Sequence, residues 1–265
     1  MPETVPSELR AVRDLYSTPG MEWAVRGLGP HFHPGSEDAT VALAERSVRY
    51  GLEPNSRILE VASALGAPAR YLARKFVSTV ICVDMDRQMH AAAGAANTAE
   101  GLSRRCLRVL ARTERIPLRD NAVDAAWSQD ALCHMDKAAV LRELARVVRP
   151  AGLIAFSDWI AKPGYTEEDA AAMATHMAFP SLFTLPQYVA ALEREELEVL
   201  LAEDRTRALR VVALPPEDQE EFEQAFAAKW GDKELARQQA SSAAWRDIVS
   251  GGRGGYALFV ARVPV

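Results

Sequence analysis

Residues Arg57–Asp86 read RILEVASALGAPARYLARKFVSTVICVDMD. Ile58, Leu59 and Val61 make a short apolar run, as expected of a strand buried on both faces. Ala62 to Ala67 form a tight turn of mostly small side chains, and Pro68 to Lys75 is helical in character. Val80 to Val83 is a second β-branched run, and Asp84 follows it directly. The stretch predicts a βαβ unit with a nucleotide-type crevice at its first turn and a carboxylate at the tip of its second strand. Such turns favour glycine, yet here alanine stands at 62, 64 and 67, and glycine only at 66.

The flanking chain extends this unit in both directions. Val5, Leu9, Val12 and Tyr16 recur at helical spacing, so residues 3 to 16 suit a short amphipathic helix. Residues 17 to 38 are rich in Gly, Pro, His and aromatics and predict a loop. Trp23, His31, Phe32 and His33 within it are candidates for a lid. Ser36 to Tyr50 returns to helix, with Ser36 or Asp38 as its cap. Beyond Asp84, an alanine-rich helix spans Arg87 to Ala99 and closes at Gly101. Strands are expected at 106–110, 123–128 and 153–159. Between the last two, Asp136 caps a helix over Lys137–Val148. Helices over Thr166–Met177 and Leu185–Arg194, a strand at 197–206, helical chain over 216–249 and a closing strand at 255–263 complete the pattern. Alternating strands and helices imply an α/β protein with a parallel sheet covered on both faces.

Composition narrows the classes of function. Of the 265 residues, 49% are hydrophobic, enough for a sizeable core, and the net charge is −5 with no basic run. Nucleic acid is therefore not expected as a partner. No apolar run approaches the ~20 residues of a membrane span, and the polar, proline-containing start is unlike a signal peptide. A cytoplasmic protein is expected. The cysteines at 82, 106 and 133 lack metal-site or CxxC spacing and read as reduced, buried thiols. His31 and His33 have a His-x-His spacing, but no third ligand is evident, so no metal is expected.

With the strands placed, the chain resembles class I S-adenosylmethionine-dependent methyltransferases of the small-molecule type, including glycine/sarcosine-type and natural-product tailoring enzymes. RILEVASALGAPARYLA resembles the first motif of that family, a strand, an acidic residue and Gly-x-Gly-x-Gly. IPLRDNAVDAAWSQDALCHM resembles its loop and fourth strand, and VLRELARVVRPAGLIAFSDW its helix, Arg-Val-Leu-x-Pro-Gly-Gly turn and fifth strand. The resemblance implies a Rossmann-like, doubly wound, seven-stranded sheet with the last strand antiparallel and inserted. It implies an N-terminal helical lid over residues 1–50, and a methyltransferase-fold domain over 51–265 with helical insertions at 160–183 and 207–250. The implied cofactor is S-adenosylmethionine, contacted by Glu60, Ala62, Ser63, Ala64, Gly66, Asp84, Met85, Arg112, Thr113, Glu114 and Gln129. His134, Asp130 and His33 are the catalytic candidates, with Asp130 placed either to orient His134 four residues on or to cap a helix. The implied partner is a small-molecule acceptor, methylated at nitrogen, oxygen or carbon.

Two departures leave other readings open. Alanine at the glycine positions should narrow the pocket for the amino-acid end of the cofactor. Arg112 occupies the place of an acidic residue that bonds the adenine amino group, and an arginine cannot accept that bond. It would stack on the purine or point to solvent. One alternative is a methyltransferase-fold enzyme repurposed for cyclisation, elimination or isomerisation. The other is a non-catalytic partner subunit. Phe222, Phe226, Trp230 and Trp245 are expected in the core or in a homodimer contact.

Overall fold

The computed structural model describes residues 12, 14–16, 18–28, 31, 33, 36–208 and 216–265. Seven strands form one sheet: β1 Arg57–Val61, β2 Thr79–Asp84, β3 Cys106–Leu110, β4 Val123–Gln129, β5 Val148–Ala161, β6 Glu198–Asp204 and β7 Gly254–Arg262. Their order is β3-β2-β1-β4-β5-β7-β6. Strands β1 to β5 pair in parallel, and β7 runs antiparallel between β5 and β6. The order reverses beside β1, which makes the carboxyl ends of β1 and β4 the crevice of this sheet.

The helices are α1 Thr18–Leu28, α2 Ser36–Arg49, α3 Ala67–Lys75, α4 Arg87–Ala99, α5 Lys137–Val147, α6 Glu167–Met177, α7 Leu185–Arg194, α8 Pro216–Trp230 and α9 Asp232–Ser250. Strand alternation divides the core in two. Ile58, Val80, Trp127, Ala155 and Leu258 pack with Leu43 of α2, Leu72 of α3 and Ile248 of α9. Leu59, Val83, Ala126, Phe156 and Phe259 pack on the other face with Leu141 and Leu144 of α5 and Tyr188 of α7. The Phe156 and Phe259 rings stack at 4.7 Å, which ties β5 to its antiparallel neighbour. Polar side chains fix two of the helix starts. Asp136 accepts hydrogen bonds from the Ala138 and Ala139 amides, and Thr184 forms a capping box with Gln187.

Three expectations change. The stretch 17–38 is not a continuous loop, because Thr18–Leu28 is helical. Trp23 is not a lid residue: its ring packs on Phe222 and Phe226 of α8, and its Nε1 donates to Ser242 of α9 at 3.0 Å. The helical chain over 216–249 is two helices, broken at Gly231 with φ 89°. The helix expected over 3–16 lies outside the described residues except for Val12 and Asp14–Tyr16, and Phe32 also lies outside them.

The turn into β5 carries the sequence Pro150-Ala151-Gly152. Ala151 has φ 59°, a left-handed conformation that costs an L-residue roughly 1–2 kcal/mol. A Cβ at Gly152 would lie 2.6 Å from the Asp124 carbonyl oxygen. The two positions therefore respond oppositely in chemical denaturation. Ala151→Gly stabilises by about 0.5–1 kcal/mol after glycine's extra unfolded-state freedom is subtracted. Gly152→Ala destabilises by roughly 1–3 kcal/mol.

Candidate functional site

A cleft opens at the carboxyl ends of β1, β2 and β4. The turn after β1 forms its floor. Ala62 and Ala64 both hold left-handed conformations, with φ 51° and 43°, and Gly66 follows at φ 70° as the N-cap of α3. The backbone thus keeps a glycine-type shape while carrying two methyl groups, at a cost of roughly 1–2 kcal/mol each. Ala67, by contrast, is the first residue of α3 and is not left-handed.

The turn is held from β2. The Ser63 amide donates to the Val83 carbonyl at 3.1 Å. The Ala64 amide donates to Asp84 Oδ2 at 2.8 Å, while Oδ1 of the same carboxylate accepts from the Asp86 amide at 2.8 Å. Asp84 is buried, which raises its pKa against the opposing pull of those two amides. Each of its oxygens retains a lone pair. Glu60 also lines the cleft. Its burial pushes the pKa well up, and its Oε2 has no hydrogen-bond partner.

A second group of side chains is organised by one hydroxyl. Thr40 Oγ1 donates to Gln129 Oε1 at 3.0 Å. Having spent its only proton there, it must accept from the rings around it. His31 Nδ1 lies at 3.1 Å and His33 Nε2 at 3.2 Å, so those are the protonated nitrogens of the two imidazoles. Trp127 Nε1 donates to the same Gln129 oxygen at 3.1 Å. The amide is therefore fixed with its oxygen tied back. Gln129 lines the cleft, and its buried Nε2 has no partner.

At the β4 end, His134 is buried between two partners. Its Nδ1–H donates to the Ala178 carbonyl at 3.1 Å, which leaves Nε2 to accept from the Tyr16 hydroxyl at 2.9 Å. Burial lowers its pKa to about 4, so the ring is neutral at pH 7. The Tyr16 phenol is pushed up by burial and is neutral too. Asp130 has φ 53°, and its Oδ1 accepts from Ser157 Oγ at 2.9 Å. Its Oδ2 and the Tyr256 hydroxyl are buried, and the phenol beside the carboxyl opposes the effect of burial. Burial raises Asp130 to about 8, with the Asp158 carboxylate adding to the shift.

Of the residues expected at the site, Glu60, Ala62, Ser63, Ala64, Asp84, Met85, Thr113, Glu114, Gln129, Asp130, His33 and His134 line this one cleft. Gly66 sits behind them. Arg112 is not among the residues that line the cleft; its side chain is half-exposed and lies 3.4 Å from that of Glu114, which does line it. Asp130 does not orient His134. The chain there makes only a short 3-10 turn, Leu132–His134, so a spacing of four does not bring the two side chains together. The carbonyl of Ala178 orients the ring instead. Sequence reasoning missed Thr40, Trp127 and Ser157, whose bonds cross between distant segments. Trp159 packs on Trp245 and Tyr256 in the core. Among the described residues no group of three or more metal-ligating side chains is placed to hold a metal, and no helix is long and apolar enough to cross a membrane.

Residues 59–156, which include most of the cleft, match the family model of a methyltransferase domain. The chain is 29% identical over 244 residues to the methyltransferase GfsG of Streptomyces halstedii, covering 87% of this chain and 84% of that protein. It is 26% identical over 215 residues to a glycine/sarcosine/dimethylglycine N-methyltransferase of Actinopolyspora halophila, covering 77% of this chain but only 38% of that one. The crystal structure of the (4+2)-cyclase SpnF shares the fold, with TM-score 0.76, 23% identity and 98% of each chain covered.

Asp130 and His134 make opposite contributions to stability. A carboxyl raised to about 8 binds more protons folded than unfolded, so stability falls as pH rises from about 4 to 8. A histidine lowered to about 4 gives stability that rises from about pH 4 to 6.5. Above pH 6.5 only the Asp130 effect remains of the two. In denaturation titrations Asp130→Asn should therefore gain on the parent as pH rises from 6.5 to 8.

Proposed function

We propose that this chain, whose residues 59–156 form a methyltransferase domain, transfers a methyl group from S-adenosylmethionine to a small-molecule acceptor. The observation that carries this reading is the cleft at the sheet's switch point, with a strand-tip carboxylate on one side and unpartnered buried polar groups on the other. Asp84 supports binding of the ribose hydroxyls, since both its oxygens keep an acceptor site. The amide of Gln129 supports binding of the cofactor's carboxylate, because the residue lines the cleft and its buried Nε2 has no partner. Glu60 Oε2 offers an acceptor to a cationic or donor group. S-adenosylmethionine supplies an electrophilic methyl group carried on a sulfonium sulfur.

The chain's own groups then do three things. The turn and the β2 tip orient one reactant, which is where much of the acceleration of such a displacement arises. The buried side chains at the β4 end keep water away from the reacting centre. His134 fixes the Tyr16 phenol by accepting its proton in a hydrogen bond, and with a pKa of about 4 it is a poor base at neutral pH. Asp130 is mostly protonated and His134 neutral at pH 7, so neither of these two side chains is a ready proton acceptor there. This favours an acceptor that arrives with its electron pair already free.

The test is incubation with S-adenosylmethionine and candidate small acceptors, read by mass spectrometry. Methylated product and S-adenosylhomocysteine should form in equal amounts. Conversion of an acceptor without demethylated cofactor would instead favour the repurposed, non-methylating reading. In calorimetry, Gln129→Leu should weaken S-adenosylhomocysteine by about tenfold, the scale of a lost bond to a charged group. It should leave 5′-methylthioadenosine, which lacks the amino-acid end, within about twofold.

A further inference from the structure

Behind the turn, on the side away from the cleft, lies a buried arginine that the functional reading does not use. Arg70 belongs to the first turn of α3 and is 7% exposed. Its Nη1 donates to the Leu65 carbonyl at 2.6 Å and lies 3.4 Å from Asn97 Oδ1. Its Nε pairs with Glu100 at 2.8 Å. Asn97 is itself tied to β3, donating to the Cys106 carbonyl at 3.3 Å. Arg74 braces the other oxygen of Glu100. The guanidinium is thus fixed from α4 and β3, and it grips one carbonyl of the turn.

That carbonyl belongs to the residue between Ala64 at φ 43° and Gly66 at φ 70°. If Ala64 relaxed to φ < 0, as an alanine prefers, the peptide links of the turn would swing and draw the Leu65 oxygen off the guanidinium. We propose that Arg70 is a positioning residue for the cofactor: it clamps the Leu65 carbonyl from behind while Asp84 holds the Ala64 amide in front, and together they keep a two-alanine turn in the shape a glycine turn adopts unaided. Arg70 does not line the cleft: it grips the turn from behind, and its charge also draws the buried Glu60 carboxyl down against the effect of burial, an influence that is the same in the alanine and glycine chains. A buried cation with directional bonds suits this task, because each bond fails if the turn moves. The inference rests on the methyltransferase reading and explains how the altered glycine motif remains compatible with it.

The experiment is a mutant cycle. Arg70→Met is made in the natural chain and in the Ala62→Gly/Ala64→Gly chain, and S-adenosylhomocysteine affinity is measured by calorimetry. In the natural chain the substitution should weaken binding by about tenfold or more, the scale of one or two unsupported left-handed alanines. In the glycine chain, where the conformation costs little, the loss should stay under about threefold. Without ligand, amide hydrogen exchange at Ser63 to Gly66 should speed up in Arg70→Met of the natural chain. Equal losses in both chains, no loss, or unchanged exchange would each overturn the clamp. If Arg70→Met does not fold, Arg70→Lys carries the same cycle, its shorter ammonium being unable to serve Leu65 and Glu100 together. A natural chain that binds no S-adenosylhomocysteine would refute the methyltransferase reading, and the exchange experiment would still judge the clamp.

Discussion

The structure depends on a left-handed turn between β1 and α3 that is built from alanine. One end of the cleft is attached to it. The Ala64 amide fixes the Asp84 carboxylate, the Ser63 amide joins the turn to β2, and Gly66 starts α3. The methyl groups at 62 and 64 disfavour a left-handed backbone. The turn nevertheless stays left-handed, because bonds from β2 and α3 hold it from both sides. The loss of glycine changes the energy of the turn more than its shape. The cleft therefore carries stored strain at its floor, as functional turns often do.

The other end of the cleft works by burial rather than by charge. Tyr16, His134 and Asp130 are each driven toward their neutral forms by desolvation. Neutral groups that hold one another in fixed directions suit a reaction governed by alignment and exclusion of water, and they do not suit one that needs a strong base. The single proton of Thr40 has a comparable ordering effect. It settles the tautomers of His31 and His33 and the direction of the Gln129 amide at once.

The fold was legible because its strands are buried on both faces. β1, β2, β4 and β5 each carry a short apolar run, at Ile58–Leu59, Val80–Val83, Ala125–Trp127 and Leu153–Phe156, bounded by polar residues or glycine as buried strands are. Helix ends were legible where a cap is local, as at Asp136 and Thr184. Helix α1 was not legible, since its apolar face is covered by residues of α8 and α9 some two hundred positions away. The same division holds at the site. Glu60, Asp84 and Gln129 could be found because a strand end places its residue by topology alone. Arg70, Thr40 and the partner of His134 could not, because their bonds link segments with no common pattern. The spacing of Asp130 and His134 misled for a related reason: it assumed a helical turn where the chain makes a shorter one.

The most direct measurement of the account is a crystal structure with S-adenosylhomocysteine bound. It should show ribose hydroxyls on Asp84, the amino-acid carboxylate on the Gln129 amide, and Ala62 and Ala64 still left-handed, near their present φ of 51° and 43°. A cleft left empty at saturating ligand, or a turn that has moved to φ < 0 to admit it, would contradict the account.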